Sequence, residues 1–229
     1  MDRLGDALRR ARGGIAYLVP DFQNPTGALM AARTRHAVAE LAARHEVVLV
    51  VDETMRDLDL RHDHSPEPRM RQAILIGSAS KTVWGGLRVG WIRGSAQFIG
   101  ELSSNPLCGS LSAAPMQQMV AVELLSDLDT VVARRRTELR GQRDYLSGLL
   151  TGDDRWRFAV PPGGLSLWMR LVNARADMVV ERARAHRLDL VPGPHFAADA
   201  TLTRYLRVPF TPPPSVLDRV AAVLKEGLY

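Results

Sequence analysis

The stretch Ala73-Ile-Leu-Ile-Gly-Ser-Ala-Ser-Lys81 joins an apolar run to a small polar loop that ends on a lysine. Its first five residues predict a strand, and the loop follows the carboxyl end of that strand. Lys81 is one of two lysines in a chain of 229 residues with 30 basic residues, and the other is Lys225. A lysine amine, unlike a guanidinium, can lose its proton and form a Schiff base. We therefore take Lys81 as a candidate catalytic residue.

Three further apolar runs accompany this one. They are Ile15 to Val19, Val47 to Val51 and Arg88 to Ile92, and helical patterns cover residues 2–12 and 31–44. Alternating strands and helices predict an α/β fold, with a mostly parallel sheet and flanking helices. The continuous apolar run at Val47 predicts a strand that is buried on both faces.

Polar residues follow three of the predicted strands. Asn24 comes after the first strand, Asp52 directly after the second, and Ser78 to Lys81 after the third. In open α/β sheets, ligands bind beyond the carboxyl ends of the strands. We therefore expect these polar residues to gather at one edge of the sheet.

The second half of the chain changes pattern. Residues 112–127 and 128–150 predict two helices, and further helical patterns lie near 176–186 and 214–227. Short strand candidates alternate with the latter two: Trp156 to Val160, Leu165 to Leu171, Leu188 to Pro192 and Tyr205 to Val208. We expect a partial large domain over residues 1–110, connecting helices over 111–150 and an α+β small domain over 151–229.

Composition narrows the function classes. The net charge is +5, but the arginines are scattered, and no zinc-finger spacing or RNA-binding motif accompanies them, so we expect no direct nucleic-acid binding by this chain. No apolar run approaches the roughly 20 residues of a membrane span. The single cysteine, Cys108, fits a reducing compartment, and we expect a cytoplasmic protein.

An imine-forming lysine on an α/β scaffold suggests pyridoxal 5'-phosphate as the cofactor. That cofactor needs a lysine, a carboxylate for its pyridine nitrogen, a donor for its phenolic oxygen, and hydroxyl groups with a cation for its phosphate. The chain offers, in that order, Lys81, Asp52, Asn24, and Ser78 with Ser80 and Arg88.

The same residues lie in blocks that resemble a known family. Asp21-Phe-Gln-Asn-Pro-Thr-Gly27, Val51-Asp-Glu53, Ser78-Ala-Ser-Lys81 and Gly86-Leu-Arg-Val-Gly-Trp91 resemble the signature blocks of the class I/II, fold-type I aminotransferases. Later blocks fit the same family: Pro161-Pro-Gly-Gly164, Pro192-Gly193 and Tyr205-Leu-Arg-Val-Pro-Phe210. The resemblance covers nearly the whole chain and is closest to the MocR-like branch, in which an aminotransferase-like domain follows a GntR-type DNA-binding domain.

The resemblance implies a partial fold-type I large domain with a C-terminal small domain, and a role for each candidate residue. Lys81 would form the Schiff base and shuttle the α-proton, and Asp52 would pair with the pyridinium. Asn24 would face the phenolic oxygen and lie near the substrate carboxylate, which Arg207 would bind. Ser78 and Arg88 would bind the phosphate, with Ser80 as a weaker candidate.

The implied activity is transamination between an amino acid and a 2-oxo acid, in a homodimer. Two alternatives remain open: the effector-sensing domain of a MocR-like regulator without its DNA-binding domain, and an inactive truncated remnant. Met55 stands where family members commonly place a tyrosine that contacts the cofactor, and no tyrosine lies nearby in the sequence. Residues 1–14 hold no counterpart of the family's long N-terminal segment, so we expect a truncated domain whose pocket lacks that part.

Overall fold

Two compact units make up the structure, which is a computed structural model and describes residues 2–62, 65–108, 114–199 and 201–226. The first unit comprises Met1–Phe22 and Leu29–Arg135, and the second comprises Gln23–Ala28 and Arg136–Tyr229. The loop that holds Asn24 therefore belongs to the second unit, although the strand before it belongs to the first.

The four apolar runs of the first unit pair into one sheet, in the order β1-β2-β3-β4. Strands β1 (Ile15–Leu18), β2 (Val48–Asp52) and β3 (Ile74–Ser78) are parallel, and β4 (Gly90–Arg93) is antiparallel to β3. The predicted α/β fold with a mostly parallel sheet is confirmed.

Helices connect and flank these strands. The helices that begin in the first unit are α1 (Asp2–Arg10), α2 (Ala32–Arg44), α3 (Ala79–Thr82), α4 (Ala96–Ser104), α5 (Pro115–Ser126) and α6 (Leu128–Leu150), which continues into the second unit. Sequence patterns did not predict α4, because Gly100 interrupts its short apolar stretch. Ser95 begins that helix, because its hydroxyl accepts a hydrogen bond from the backbone N–H of Phe98 at 3.2 Å. No helix among the described residues is long and apolar enough to cross a membrane.

The core of the first unit lies on one face of the sheet. Leu49, Val51 and Leu75 point to that face and pack with Leu8 of α1 and Val38 of α2. The prediction that β2 is buried on both faces is wrong, because Val50 and Asp52 are only partly covered and Val48 is 46% exposed. The apolar run of β2 therefore has one face packed in the core and one face that the described residues cover only in part.

The second unit is built on an antiparallel sheet. Its strands are β5 (Trp156–Arg157), β6 (Ser166–Leu171), β7 (Val191–Pro192) and β8 (Tyr205–Pro209), in the spatial order β5-β6-β8-β7. Helices α7 (Ala176–Ala185) and α8 (Pro214–Glu226) complete the unit, and short 3-10 helices occur at Pro106–Cys108 and Gly193–Phe196. Alternate residues of β6 and β8, such as Leu167, Met169 and Leu206, are fully buried and form the core.

A buried ion pair fixes the chain after β1. Arg35 of α2 donates two hydrogen bonds to the Asp21 carboxylate, at 2.7 and 3.2 Å, and both residues are nearly inaccessible to solvent. The Arg35 Nε also donates to the carbonyl oxygen of Met30 at 2.7 Å. A bidentate pair with this geometry is specific as well as strong, so it holds the chain leaving β1 against the start of α2.

We expect Arg35→Ala to lower the free energy of unfolding by about 3 kcal/mol, because it leaves a buried carboxylate without its main partner. This loss is at the lower end of the roughly 3–5 kcal/mol that breaking a buried ion pair costs. The reason is that Arg56 Nη1, 3.7 Å from the Asp21 carboxylate, still offers a positive charge to it. Urea unfolding followed by tryptophan fluorescence measures the change. Arg33→Ala, at an exposed position on the same helix, is the control and should change stability by less than about 0.5 kcal/mol. Equal stability of the two variants would contradict this account.

Candidate functional site

The carboxyl ends of β2 and β3 bring Asp52 and Ser78 to one face of the first sheet. Asp52 is the last residue of β2 and stands opposite Ile76 of β3. Ser78 ends β3 two residues after Ile76, and side chains alternate along a strand, so it lies on the same face. Because neighbouring strands are about 4.8 Å apart, the two polar residues occupy one small area at the end of the sheet.

Lys81 lies in α3, the short helix that begins directly after β3. Ser78 caps this helix, since its hydroxyl accepts a hydrogen bond from the backbone N–H of Ser80 at 3.1 Å. The same hydroxyl donates to the carbonyl oxygen of Val89 at 3.3 Å. The Lys81 side chain is exposed and has no hydrogen bond or ion pair within the described part of the chain, so its amine is accessible to a ligand.

A cavity of about 410 Å³ opens beside this helix. Its polar lining is Ser78, Ser80 and Arg88, and its walls include Ile76 and Trp91. Two hydroxyl groups and a guanidinium are the donors that proteins use for phosphate groups. The three residues predicted to bind phosphate therefore line the same cavity.

Arg88 reaches this cavity from an unusual backbone conformation. Its φ is 53°, in the left-handed region that side chains other than glycine rarely adopt, at a cost on the order of 1–3 kcal/mol. The neighbouring backbone is fixed, because the N–H of Leu87 donates to Trp84 and the N–H of Ala79 donates to Val89. This conformation also explains why β4 begins at Gly90 and not at Arg88, as the apolar run predicts.

Tyr17 is a residue that the sequence reasoning missed. Its hydroxyl donates a hydrogen bond to Oδ2 of Asp52, while the backbone N–H of Thr54 donates to Oδ1 at 2.8 Å. Burial, and then the hydrogen bond to Asp52, raise the pKa of Tyr17 to about 12. Met55 is buried and provides no such donor. A tyrosine does therefore lie next to the candidate site, although it comes from β1.

Asn24 and Arg207 meet in the second unit. Arg207 Nη1 donates a hydrogen bond to Oδ1 of Asn24 at 3.3 Å. The Arg207 Nε is buried and has no hydrogen-bond partner among the described residues. Burial lowers the pKa of the guanidinium, an effect that the charge of Asp189 partly offsets. A partly desolvated cation with an unused donor is suited to binding an anion.

An aromatic cluster supports this guanidinium. The Arg207 guanidinium lies 5.3 Å from the centre of the Phe196 ring. The Phe196 ring meets Trp168 edge-on at 5.7 Å, and Trp168 stacks on Tyr205 at 5.2 Å. These contacts favour a charged side chain over the ring face and limit its rotation.

The loop that carries Asn24 packs closely against Pro161 at Gly27. Gln23 and Ala28 form an isolated antiparallel bridge, and Gly27 between them has a φ of 67°. A Cβ atom at Gly27 would lie 2.6 Å from the Cβ of Pro161. Only glycine fits there, so two blocks far apart in sequence fix the position of Asn24 within the second unit.

The predicted site residues therefore fall into two groups. Asp52, Ser78, Ser80, Lys81 and Arg88 belong to the first unit, and Asn24 and Arg207 belong to the second. The first group combines a carboxylate, an amine and a cavity whose polar side chains are suited to a phosphate group. The second group combines an amide and a cation that is suited to a carboxylate.

A family profile described as aminotransferase class I and II matches residues 1–224. The chain belongs to this family. Among curated relatives of this aminotransferase-family chain, the 2-aminoadipate transaminase of Thermus thermophilus is 28% identical over 232 residues, which cover 96% of this chain and 57% of the relative. The HTH-type transcriptional regulator NorG of Staphylococcus aureus is 26% identical over 177 residues, which cover 74% of this chain and 40% of the relative.

Solved structures give the same fold. LysN of Thermus thermophilus, an α-aminoadipate aminotransferase complexed with N-(5'-phosphopyridoxyl)-L-leucine, superposes with a TM-score of 0.88 at 26% identity, over 99% of this chain and 61% of that one. A multiple substrate aminotransferase from Thermococcus profundus has a TM-score of 0.86 at 24% identity and shares the fold. The chain thus spans between 57% and 61% of the length of these aminotransferases and 40% of the length of NorG.

We expect one tyrosine to ionise near pH 12 in a titration of phenolate absorbance, and Tyr17→Phe to remove that step. The folded-state pKa lies above the ordinary value of 10.0, so this hydroxyl stabilises the fold fully below pH 10 and loses its contribution as the pH rises towards 12. Tyr145→Phe is the control, because Tyr145 donates to Asp218 at 2.6 Å. Loss of the step in the control variant alone would assign it to Tyr145.

Proposed function

We propose that this chain binds pyridoxal 5'-phosphate at the end of its first sheet and takes part in amino transfer between an amino acid and a 2-oxo acid. The observation that carries the proposal is the arrangement in the first unit. The carboxylate of Asp52 ends β2, and Lys81 lies on α3 with its amine accessible. Three side chains that can bind phosphate line the cavity after β3.

The described residues fit the groups of this cofactor. A cavity of about 410 Å³ that combines Arg88 with the hydroxyls of Ser78 and Ser80 suits a phosphate group. Ile76 of β3 lines that cavity, and Asp52 pairs with Ile76 from the neighbouring strand β2. This pairing supports Asp52 as the partner of the ring nitrogen.

Each residue then has a defined chemical task. When bound, the cofactor supplies a ring that withdraws electrons from the α-carbon of an amino acid. The Lys81 amine would hold the cofactor covalently, and the same amine would carry the proton to and from the α-carbon. Asp52 would accept a hydrogen bond from the protonated ring nitrogen, and the Arg88 guanidinium would balance the charge of the phosphate.

Arg207 and Asn24 are assigned to the carboxylate of the amino acid. The guanidinium is partly desolvated, its Nε has no partner among the described residues, and Phe196 limits its movement. An incoming carboxylate would supply the missing acceptor and could accept two parallel hydrogen bonds. Asn24 offers its amide N–H donors beside it, since its Oδ1 already accepts from Arg207.

A second candidate function uses the same residues without turnover. The relationship to NorG, a transcriptional regulator, supports an effector-sensing module that binds the cofactor and an amine. Product formation separates the two functions. An enzyme converts the amino donor to the 2-oxo acid in proportion to time, whereas a sensor changes the cofactor spectrum on binding and releases no oxo acid.

We expect Lys81→Ala to abolish the visible absorption band that forms when the purified chain is incubated with pyridoxal 5'-phosphate. Borohydride reduction of the wild-type complex, followed by peptide mass spectrometry, should place the cofactor on Lys81. The chain offers a matched control, because Lys225 is its only other lysine. Lys225→Ala should keep the band, and cofactor trapped on Lys225 instead would overturn the assignment.

We expect Arg207→Ala to raise the amino acid concentration needed for half-saturation by roughly 10- to 100-fold, as loss of a charge-assisted hydrogen bond predicts. Amino acid titrations followed by the cofactor spectrum measure this in an enzyme and in a sensor alike. Arg204→Ala is the control, because that exposed arginine donates only to the carbonyl oxygen of Val172, at 3.3 Å, in the described contacts. An unchanged titration in Arg207→Ala would exclude this residue from carboxylate binding.

A further inference from the structure

The Asp52 carboxylate is already held by two donors before any ligand arrives. Tyr17 donates to Oδ2 from the neighbouring strand, and the backbone N–H of Thr54 donates to Oδ1 at 2.8 Å. One donor on each oxygen fixes the plane of the carboxylate. The backbone donor follows from the turn after β2, but the phenol requires one particular side chain on β1.

We propose that Tyr17 is a positioning residue that acts through Asp52: it holds this carboxylate in one orientation, so that Asp52 can accept the hydrogen bond that keeps a proton on a cofactor ring nitrogen. The inference rests on the proposed function, in which Asp52 pairs with that nitrogen. It adds a residue that belongs to none of the signature blocks and that lies 35 residues from Asp52 in sequence.

The register of the sheet explains why a tyrosine can do this. Tyr17 stands opposite Val50 in the parallel pair of β1 and β2, two residues before Asp52 and on the same face. Two residues along a strand span about 6.6 Å, and the strands are about 4.8 Å apart. A short hydroxyl side chain at position 17 would not cover this distance, whereas a phenol does.

The hydrogen-bond capacity of Asp52 leaves room for a third partner. An ionised carboxylate has about four lone-pair sites, and Tyr17 with Thr54 occupies two of them. The ring nitrogen can therefore approach without displacing either donor. Since the pKa of Tyr17 is raised to about 12, the phenol remains a donor over the whole working pH range.

Because Tyr17 is 57% exposed, its aromatic ring contributes little apolar packing to the stability of the fold. Tyr17→Phe therefore removes the hydroxyl and leaves the aromatic ring in place. Without this donor one Asp52 oxygen loses the hydrogen bond that orients it, and the hydrogen bond that Asp52 accepts from the protonated ring nitrogen weakens. A purely structural role for Tyr17 would leave the protonation of the ring unchanged.

The test uses the full chain loaded with pyridoxal 5'-phosphate that carries a ¹⁵N label in its ring. We expect Tyr17→Phe to move the nitrogen chemical shift towards the unprotonated value and to weaken cofactor binding roughly three- to tenfold. Tyr145→Phe is the matched control, because it removes the same kind of tyrosine–aspartate hydrogen bond, to Asp218. That variant should reproduce the wild-type shift and affinity.

A double-mutant comparison tests the route through Asp52. In an Asp52→Ala background, Tyr17→Phe should change neither the chemical shift nor the affinity, because the group through which it acts is absent. An effect of equal size in both backgrounds overturns the inference, as does a wild-type shift in the single variant. Failure of the wild-type chain to attach the cofactor at Lys81 would instead overturn the proposed function, and with it the role of Tyr17.

Discussion

The parallel register of β1, β2 and β3 is the constraint on which the candidate site depends. Parallel pairing places the carboxyl ends of β2 and β3 side by side, and the pairing of Asp52 with Ile76 puts a carboxylate beside the walls of the cavity. The same register brings a phenol from β1 to that carboxylate. A shift of one residue would turn Tyr17, Asp52 and Ser78 to the opposite face, into the packed core.

The two units supply different kinds of recognition. The first offers an accessible lysine amine, together with two hydroxyl groups and a guanidinium that line a cavity, and the second offers a guanidinium that aromatic rings hold in place. Each group is built within its own unit, from residues that are distant in sequence. Gly27 against Pro161 and Arg207 against Asn24 are the contacts that assemble the second group.

Sequence patterns predicted most elements of the fold, with α4 as an exception, and the residues at the ends of β2 and β3, because apolar runs and the small polar loop before Lys81 are local signals. They failed where a property depends on packing. The burial of β2 depends on what lies against each face, and the late start of β4 depends on the left-handed backbone of Arg88. The Tyr17–Asp52 hydrogen bond joins two strands across 35 residues, and no local pattern marks a tyrosine in an apolar run as a polar partner.

The two hydrogen bonds of the Ser78 hydroxyl have a further consequence. This single group ends β3, starts α3 and is tied to Val89, the residue just before β4. An anion that accepts a hydrogen bond from this hydroxyl takes its proton away from Val89, and among the described contacts only the backbone N–H of Ala79 then holds the Val89 carbonyl to α3. Anion binding in the cavity and the contact between Ser78 and Val89 are thereby thermodynamically linked, because they compete for one hydroxyl proton.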